Sequence, residues 1–206
     1  MQRVQHAVSA MSGNSLGHTG QVIGGTPLLH RFLWFAFLAV AGSALDLWTK
    51  HLVFASPRFF HGDEWWLWEN HIGIQKSLNE GALFGLGQGK VAIFAFFSVV
   101  AAVAIPVWLF WFRAAEDFWL TTLLGLIMGG VVGNFYDRAG LHGMVWDTFD
   151  PGRAGETIHA VRDWILVQAN ERWVWPNFNI ADALLVVGAV ALFIRSLVMT
   201  PPADSQ

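Results

Sequence analysis

Two apolar runs without a single charged residue, Val91–Phe112 of 22 residues and Phe118–Tyr136 of 19, stand only five residues apart. About 20 apolar residues cross a hydrocarbon core roughly 30 Å thick, and in lipid such a run must satisfy its own backbone as a helix. The spacer Arg113-Ala114-Ala115-Glu116-Asp117 therefore predicts a tight antiparallel hairpin of two membrane spans. Phe32–Ala55 is long enough to be a third span, although it carries Asp46 and Lys50. Ala183–Ile194 is shorter, and it becomes a fourth span if Ile180, Ala181 and Asp182 extend it, with Asp182 at its boundary. The composition agrees: 13% of residues are charged, against about 25% in soluble domains.

The expected organisation is thus a polar tail over residues 1–27, a four-helix membrane domain over 28–199 and a short tail over 200–206. The spans fall at about 32–55, 91–112, 118–137 and 180–198. The first 27 residues are rich in Gly, Ser, His and Gln, lack apolar periodicity and read as disordered. No apolar stretch follows directly on a basic start, so they do not read as a cleaved signal peptide. A net charge of -3 leaves no electrostatic footprint for nucleic acid, and the absence of Cys excludes thiolate chemistry.

The two longer polar stretches, Ser56–Lys90 and Arg138–Asn177, fall together on the side opposite the hairpin. They carry Trp65, Trp66, Trp68, Trp173 and Trp175, a composition suited to the headgroup level. The alternation around Trp164, Leu166 and Gln168 allows a short strand. They also carry Arg58, Lys76, Lys90, Arg138, Arg153, Arg162 and Arg172, against Arg3, Arg31, Arg113 and Arg195 on the other side. Cationic loops favour the cytoplasm, so charge alone places the long stretches inside.

Gly125, Gly129 and Gly133 repeat at i, i+4, i+8 and predict close helix packing. Asp46 and Lys50, at i, i+4, lie side by side in the first span, either neutralising one another or shaping a polar site. Asn134, Asp137 and Arg138 share one face at the end of the third span, and Asn179 and Asp182 open the fourth three residues apart. Capping explains one such end, but two converging Asn-x-x-Asp ends suit aspartyl hydrolysis. Two adjacent carboxylates share one proton, and the ionised one takes a proton from the attacking water. The eight His are scattered without ligand spacing, and no His-Glu-x-x-His or Gly-x-Ser-x-Gly occurs.

These segments resemble the lipoprotein signal peptidase (signal peptidase II) family. Its Asp-x-x-x-Lys is matched by Asp46 and Lys50, and its Asn-x-Gly-Ala-x-Phe by Asn79, Gly81, Ala82 and Phe84. Its Gly-Gly-x-x-Gly-Asn-x-x-Asp-Arg is matched by Gly129 through Arg138, its Val-x-Asp by Val145 to Asp147, and its Phe-Asn-x-Ala-Asp by Phe178 to Asp182. The match runs in order from about Arg31 to Ile194. It implies an all-α polytopic membrane protein of four transmembrane helices with a small extracytoplasmic β-rich cradle, in the bacterial inner membrane, with both termini cytoplasmic.

The resemblance also implies an aspartyl endopeptidase without a cofactor or metal. Its substrates would be lipid-modified prolipoproteins in the company of membrane lipids, cut on the amino side of a diacylglyceryl-modified cysteine, and its inhibitor globomycin. It makes Asp147 and Asp182 the catalytic pair. Asn134 and Asn179 would orient the pair and substrate, Asp137 and Arg138 would hold the geometry, and Asn79, Asp46 and Lys50 would complete the polar wall. Two departures stand out. The gap from Arg138 to Asp147 is one residue longer than the family pattern, and the stretch from Thr148 to Trp175, holding Asp150 and Asp163, is long. Asp150 is therefore a rival to Asp147, while Asp163→Asn is expected to spare activity. Two other classes stay open: a proton-coupled transporter with Asp46, Lys50 and Asp182 as relay, and a structural membrane protein.

Overall fold

In the computed structural model, the described residues are 28–60, 62–81, 87–147, 149–170 and 172–198. The two tails and the motif residues Ala82 and Phe84 lie outside them. Among the described residues, four helices are long and apolar enough to cross a membrane. They are α1 (Leu28–Ala55), α2 (Val91–Pro106, continued by a π turn Val107–Trp111), α3 (Phe118–Arg138) and α4 (Ile180–Val198). The π turn follows Pro106, whose missing N–H interrupts the regular ladder. Asp117 caps α3 by accepting from the Leu120 amide at 3.0 Å, and it also holds Arg195 of α4, closing the hairpin end of the bundle.

α3 is the central helix, with α1, α2 and α4 packed on it. Its glycines are the reason. A Cβ on Gly129 would stand 3.2 Å from the Ala39 carbonyl and 3.2 Å from the Gly42 Cα, so α1 passes backbone to backbone. Gly130 faces the Ala181 carbonyl of α4 in the same way. Gly129→Val is expected to cost at least the 1–3 kcal/mol typical of overpacking, since its neighbours are backbone and cannot repack. Detergent melting would check this, and an unchanged melting temperature would contradict the packing argument.

The polar stretches build a four-stranded antiparallel sheet in the order β1 (Trp65–Trp68), β2 (Ile72–Asn79), β3 (Val161–Asn170) and β4 (Trp173–Phe178). Alternation around Trp164 marks β3, although the strand is ten residues long and begins at Val161. Pro176 is tolerated because β4 is an edge strand. Lys76 of β2 donates to the Phe54 and Ser56 carbonyls at 3.0 and 3.1 Å, fixing the sheet on the C-terminal end of α1. Cations suit that end of the helix dipole. β4 runs through Asn179 directly into α4.

Candidate active site

Where β4 becomes α4, Asn179 and Asp182 form a reciprocal cap. The Asp182 amide donates to Asn179 Oδ1 at 2.9 Å, and the Asn179 amide donates to Asp182 Oδ2 at 3.3 Å. This is the capping-box geometry, two first-turn amides satisfied by facing side chains. The cap also does more than start a helix. Asn179 Nδ2 donates to Asp163 Oδ1 of β3 at 2.6 Å, so one amide side chain connects two carboxylates. The β2–β3 register pairs Asn79 with Val161 and Ser77 with Asp163, which makes Asn79 a diagonal neighbour of Asp163 on one face. Asn79 Nδ2 donates to Asp163 Oδ2 at 3.1 Å. Asn134 of α3 donates to Asp182 Oδ1 at 2.8 Å.

The amide orientations are set from behind. Asn134 Oδ1 accepts from Lys50 Nζ at 3.0 Å and from Asn179 Nδ2 at 3.2 Å, which leaves its Nδ2 directed at Asp182. Lys50 and Asp46 are both fully buried. Lys50 Nζ lies 2.7 Å from Asp46 Oδ2 and 3.2 Å from Asp137 Oδ2. Asp46 Oδ1 accepts from the Ala181 amide at 2.9 Å, so α1 caps α4. Gly133 makes room for that carboxylate, because a Cβ there would stand 2.5 Å from Asp46 Oδ2. Asp137 is clasped by Arg162, whose Nε and Nη2 donate to Oδ1 at 3.1 and 2.7 Å and whose backbone amide donates to Oδ2 at 2.9 Å. Arg138 donates to the Gly81 carbonyl at 2.9 Å.

The charges close only with a proton. Asp46, Asp137, Asp163 and Asp182 face Lys50, Arg138 and Arg162. Three cations balance four acids when one carboxyl is protonated, and uncompensated charge is costly where water is excluded. Burial, with the neighbouring Asp182 carboxylate second, pushes the Asp163 carboxyl up to about 8. A cleft of about 290 Å³ opens beside the pair, with Asn79 and Asp182 at its polar end and Trp175, Phe178, Val186 and Val187 beyond.

Of the residues singled out by sequence, Asp46, Lys50, Asn79, Asn134, Asp137, Arg138, Asn179 and Asp182 come together in this one cluster. The acids therefore gather at one end of the bundle instead of being strung through its depth as a relay would need. Asp147 is not part of it. It is exposed, on a loop closed by the Val145–Thr157 bridge and by the Trp146 amide on the Glu156 carbonyl at 2.9 Å. The place opposite Asp182 belongs to Asp163, which the sequence reading set aside. Asp150 caps the short turn Pro151–Arg153, its carboxylate accepting from the Gly152 amide at 3.0 Å. A signal for Asp163 exists in the sequence. Val161-Arg162-Asp163 is a second Val-x-Asp, and it opens the alternating stretch. Arg162 carries no such signal.

Comparison with known proteins gives the family and the fold. The family model described as signal peptidase (SPase) II matches residues 38–198. The lipoprotein signal peptidase of Rhodopirellula baltica is 49% identical over 169 residues, spanning 81% of this chain and 73% of that protein. The lipoprotein signal peptidase of Geobacillus thermodenitrificans is 30% identical over 84% of this chain and 94% of its own. A solved bacterial membrane enzyme, 23% identical, superposes with a TM-score of 0.65 over 84% of this chain and 92% of that one, which shows the shared fold. With the family pattern, the membrane-long helices and the polar cluster in agreement, this chain belongs to the signal peptidase II family.

Proposed function

We propose that this chain is an aspartyl endopeptidase of the bacterial inner membrane that removes the signal peptide of lipid-modified prolipoproteins. Cleavage falls on the amino side of the diacylglyceryl-modified cysteine, and Asp163 and Asp182 act as the pair. The observation that carries this reading is two buried carboxylates coupled through the side chain of Asn179 at the mouth of an apolar cleft. At neutral pH the pair holds one proton, favoured on Asp163. Asp182 takes a proton from the attacking water while the Asp163 carboxyl donates to the developing oxyanion, and the proton then passes to the leaving amine. Asn134 and Asn179 keep both carboxylates aimed, and Asn79 steadies Asp163. Asp137, Arg162, Asp46 and Lys50 hold the elements together behind them. The apolar cleft wall along α4 suits acyl chains, and globomycin, as a blocker of this family, is expected to compete there.

Purified protein in detergent tests the reading. It is expected to cut a lipidated prolipoprotein and to leave the unlipidated precursor intact. Equal cutting of both would remove the lipid requirement, and cutting of neither would overturn the peptidase.

The site is proposed to face outward, with both termini cytoplasmic. The loop cations that argue otherwise are largely committed within the fold. Lys76 holds the end of α1, Arg138 the Gly81 carbonyl, Arg153 Glu80, and Arg162 Asp137. A label at Glu156 is expected to react from outside, and a reporter fused after Gln206 to be cytoplasmic. Labelling of Glu156 from the cytoplasm alone would reverse the placement.

A further inference from the structure

Residues 144–147 and 149–160, which overlap the stretch that is long in this chain, form a platform beside β2. Trp146, Ile158 and Ala160 form its buried base against Leu78 of β2. The Gly155 amide closes on the Trp146 carbonyl at 2.9 Å, and the Ile158 amide on the Met144 carbonyl at 3.0 Å. Arg153 lies over the Trp146 ring at 4.3 Å, is steadied by Glu156 at 3.2 Å, and reaches Glu80 Oε1 at 2.8 Å. Glu80 directly follows Asn79. Asn79 Oδ1 accepts from the Gly81 amide at 2.9 Å and from Gln88 Nε2 at 3.2 Å, while Gln88 Oε1 accepts from the Glu80 amide at 3.2 Å. These bonds shape the turn at residues 79–81 from which the Asn79 amide donates to Asp163.

We propose that Arg153 is a positioning residue of the reaction: from its platform it holds Glu80 in place, and thereby keeps Asn79 donating to Asp163. The proposal rests on the peptidase reading for its rate effect but not for its structural effect. An exposed ion pair alone contributes little. Here, however, the guanidinium is braced on a buried ring and joins two segments far apart in sequence. Besides Asn79 and Asn179, the Asp163 carboxyl faces Asp182 from α4, Lys50 from α1 and Arg138 from α3. None of these is touched when Arg153 is changed.

The experiment compares wild type, Arg153→Met, and the charge exchange Arg153→Glu with Glu80→Arg, as full-length protein in detergent. Two readouts are taken: cleavage kinetics, and an infrared pH titration of the protonated carboxyl band that disappears in Asp163→Asn. Arg153→Met is expected to lower kcat about tenfold with KM little changed, the scale of one lost positioning hydrogen bond. It should also move the Asp163 midpoint upward by about half a unit, because an acid that loses a donor to its anion holds its proton longer. The exchange should restore both. An unmoved midpoint overturns the proposal even if the rate falls, since the effect would then not pass through Asn79. A fall in rate that the exchange leaves unrelieved, at unchanged melting temperature, overturns it too. If wild type fails to cut while the midpoint still moves, the peptidase reading falls and the positioning of Asn79 by Arg153 stands.

Discussion

Asp163→Asn and Asp182→Asn are each expected to lower kcat by at least about a thousandfold, and the double variant to lose little more, because paired groups fail as a unit. Asp147→Asn and Asp150→Asn are expected to keep most activity. Asp147 is exposed on the platform loop, and Asp150 caps a turn within it. The amide substitution preserves shape but replaces one accepting oxygen of each carboxylate with a donor. Detergent melting is therefore read beside the rate, and a loss of rate at a retained melting temperature is chemical. Turnover that survives Asp163→Asn and vanishes in Asp147→Asn would restore the pair that the family pattern suggests by sequence alone. The pH profile gives a second check. With the Asp163 carboxyl pushed up to about 8, the pair keeps one proton below that value and loses it above. The value of kcat/KM should therefore fall on the alkaline side from about pH 8. A profile still flat at pH 9.5 would show that Asp163 carries no working proton.

The second large effect is expected at Lys50. Its ammonium group touches Asp46, Asp137 and Asn134 where no water reaches. Lys50→Met leaves the Asp46 carboxylate buried without its cation, and breaking a buried pair from one side typically costs about 3–5 kcal/mol. Asp137 keeps its three bonds from Arg162, so Asp46 is the orphan. Adding Asp46→Asn should therefore recover much of the lost melting temperature. Activity should not recover with it. Without Lys50, the Asn134 carbonyl keeps only Asn179 as donor, and the amide is free to turn away from Asp182. Detergent melting and cleavage rates for the two single variants and the double decide this. Full recovery of both would make Asp46 and Lys50 a structural pair and nothing more.

The spans were legible because their signal is local. Charge-free runs of 19 and 22 residues with a five-residue spacer admit one arrangement in lipid, and the glycine spacing on α3 already implied that another helix lies against it. The Asn-x-x-Asp at Asn179 and Asp182 was legible for the same reason, since three residues at a helix start bring amide and carboxylate within reach. That one motif both caps α4 and carries an acid of the proposed pair could not be read from it, because the second task depends on what β3 places opposite. Family spacing pointed at Asp147. Two Val-x-Asp segments stand sixteen residues apart, and nothing in either says which one is a strand entering the site and which one turns outward. The register of β2 on β3 decided it, by setting Asp163 diagonal to Asn79 and within reach of Asn179. Orientation by charge counting meets the same limit. It weighs Lys76, Arg138, Arg153 and Arg162 as free cations, whereas each is bound to a carbonyl or a carboxylate contributed by a distant segment. What the sequence determined by itself is the set of helices and the chemistry of their ends, because these follow from neighbours along the chain. Which carboxylates meet was decided by strand pairing and helix contact, because those bonds join residues that the linear order keeps far apart.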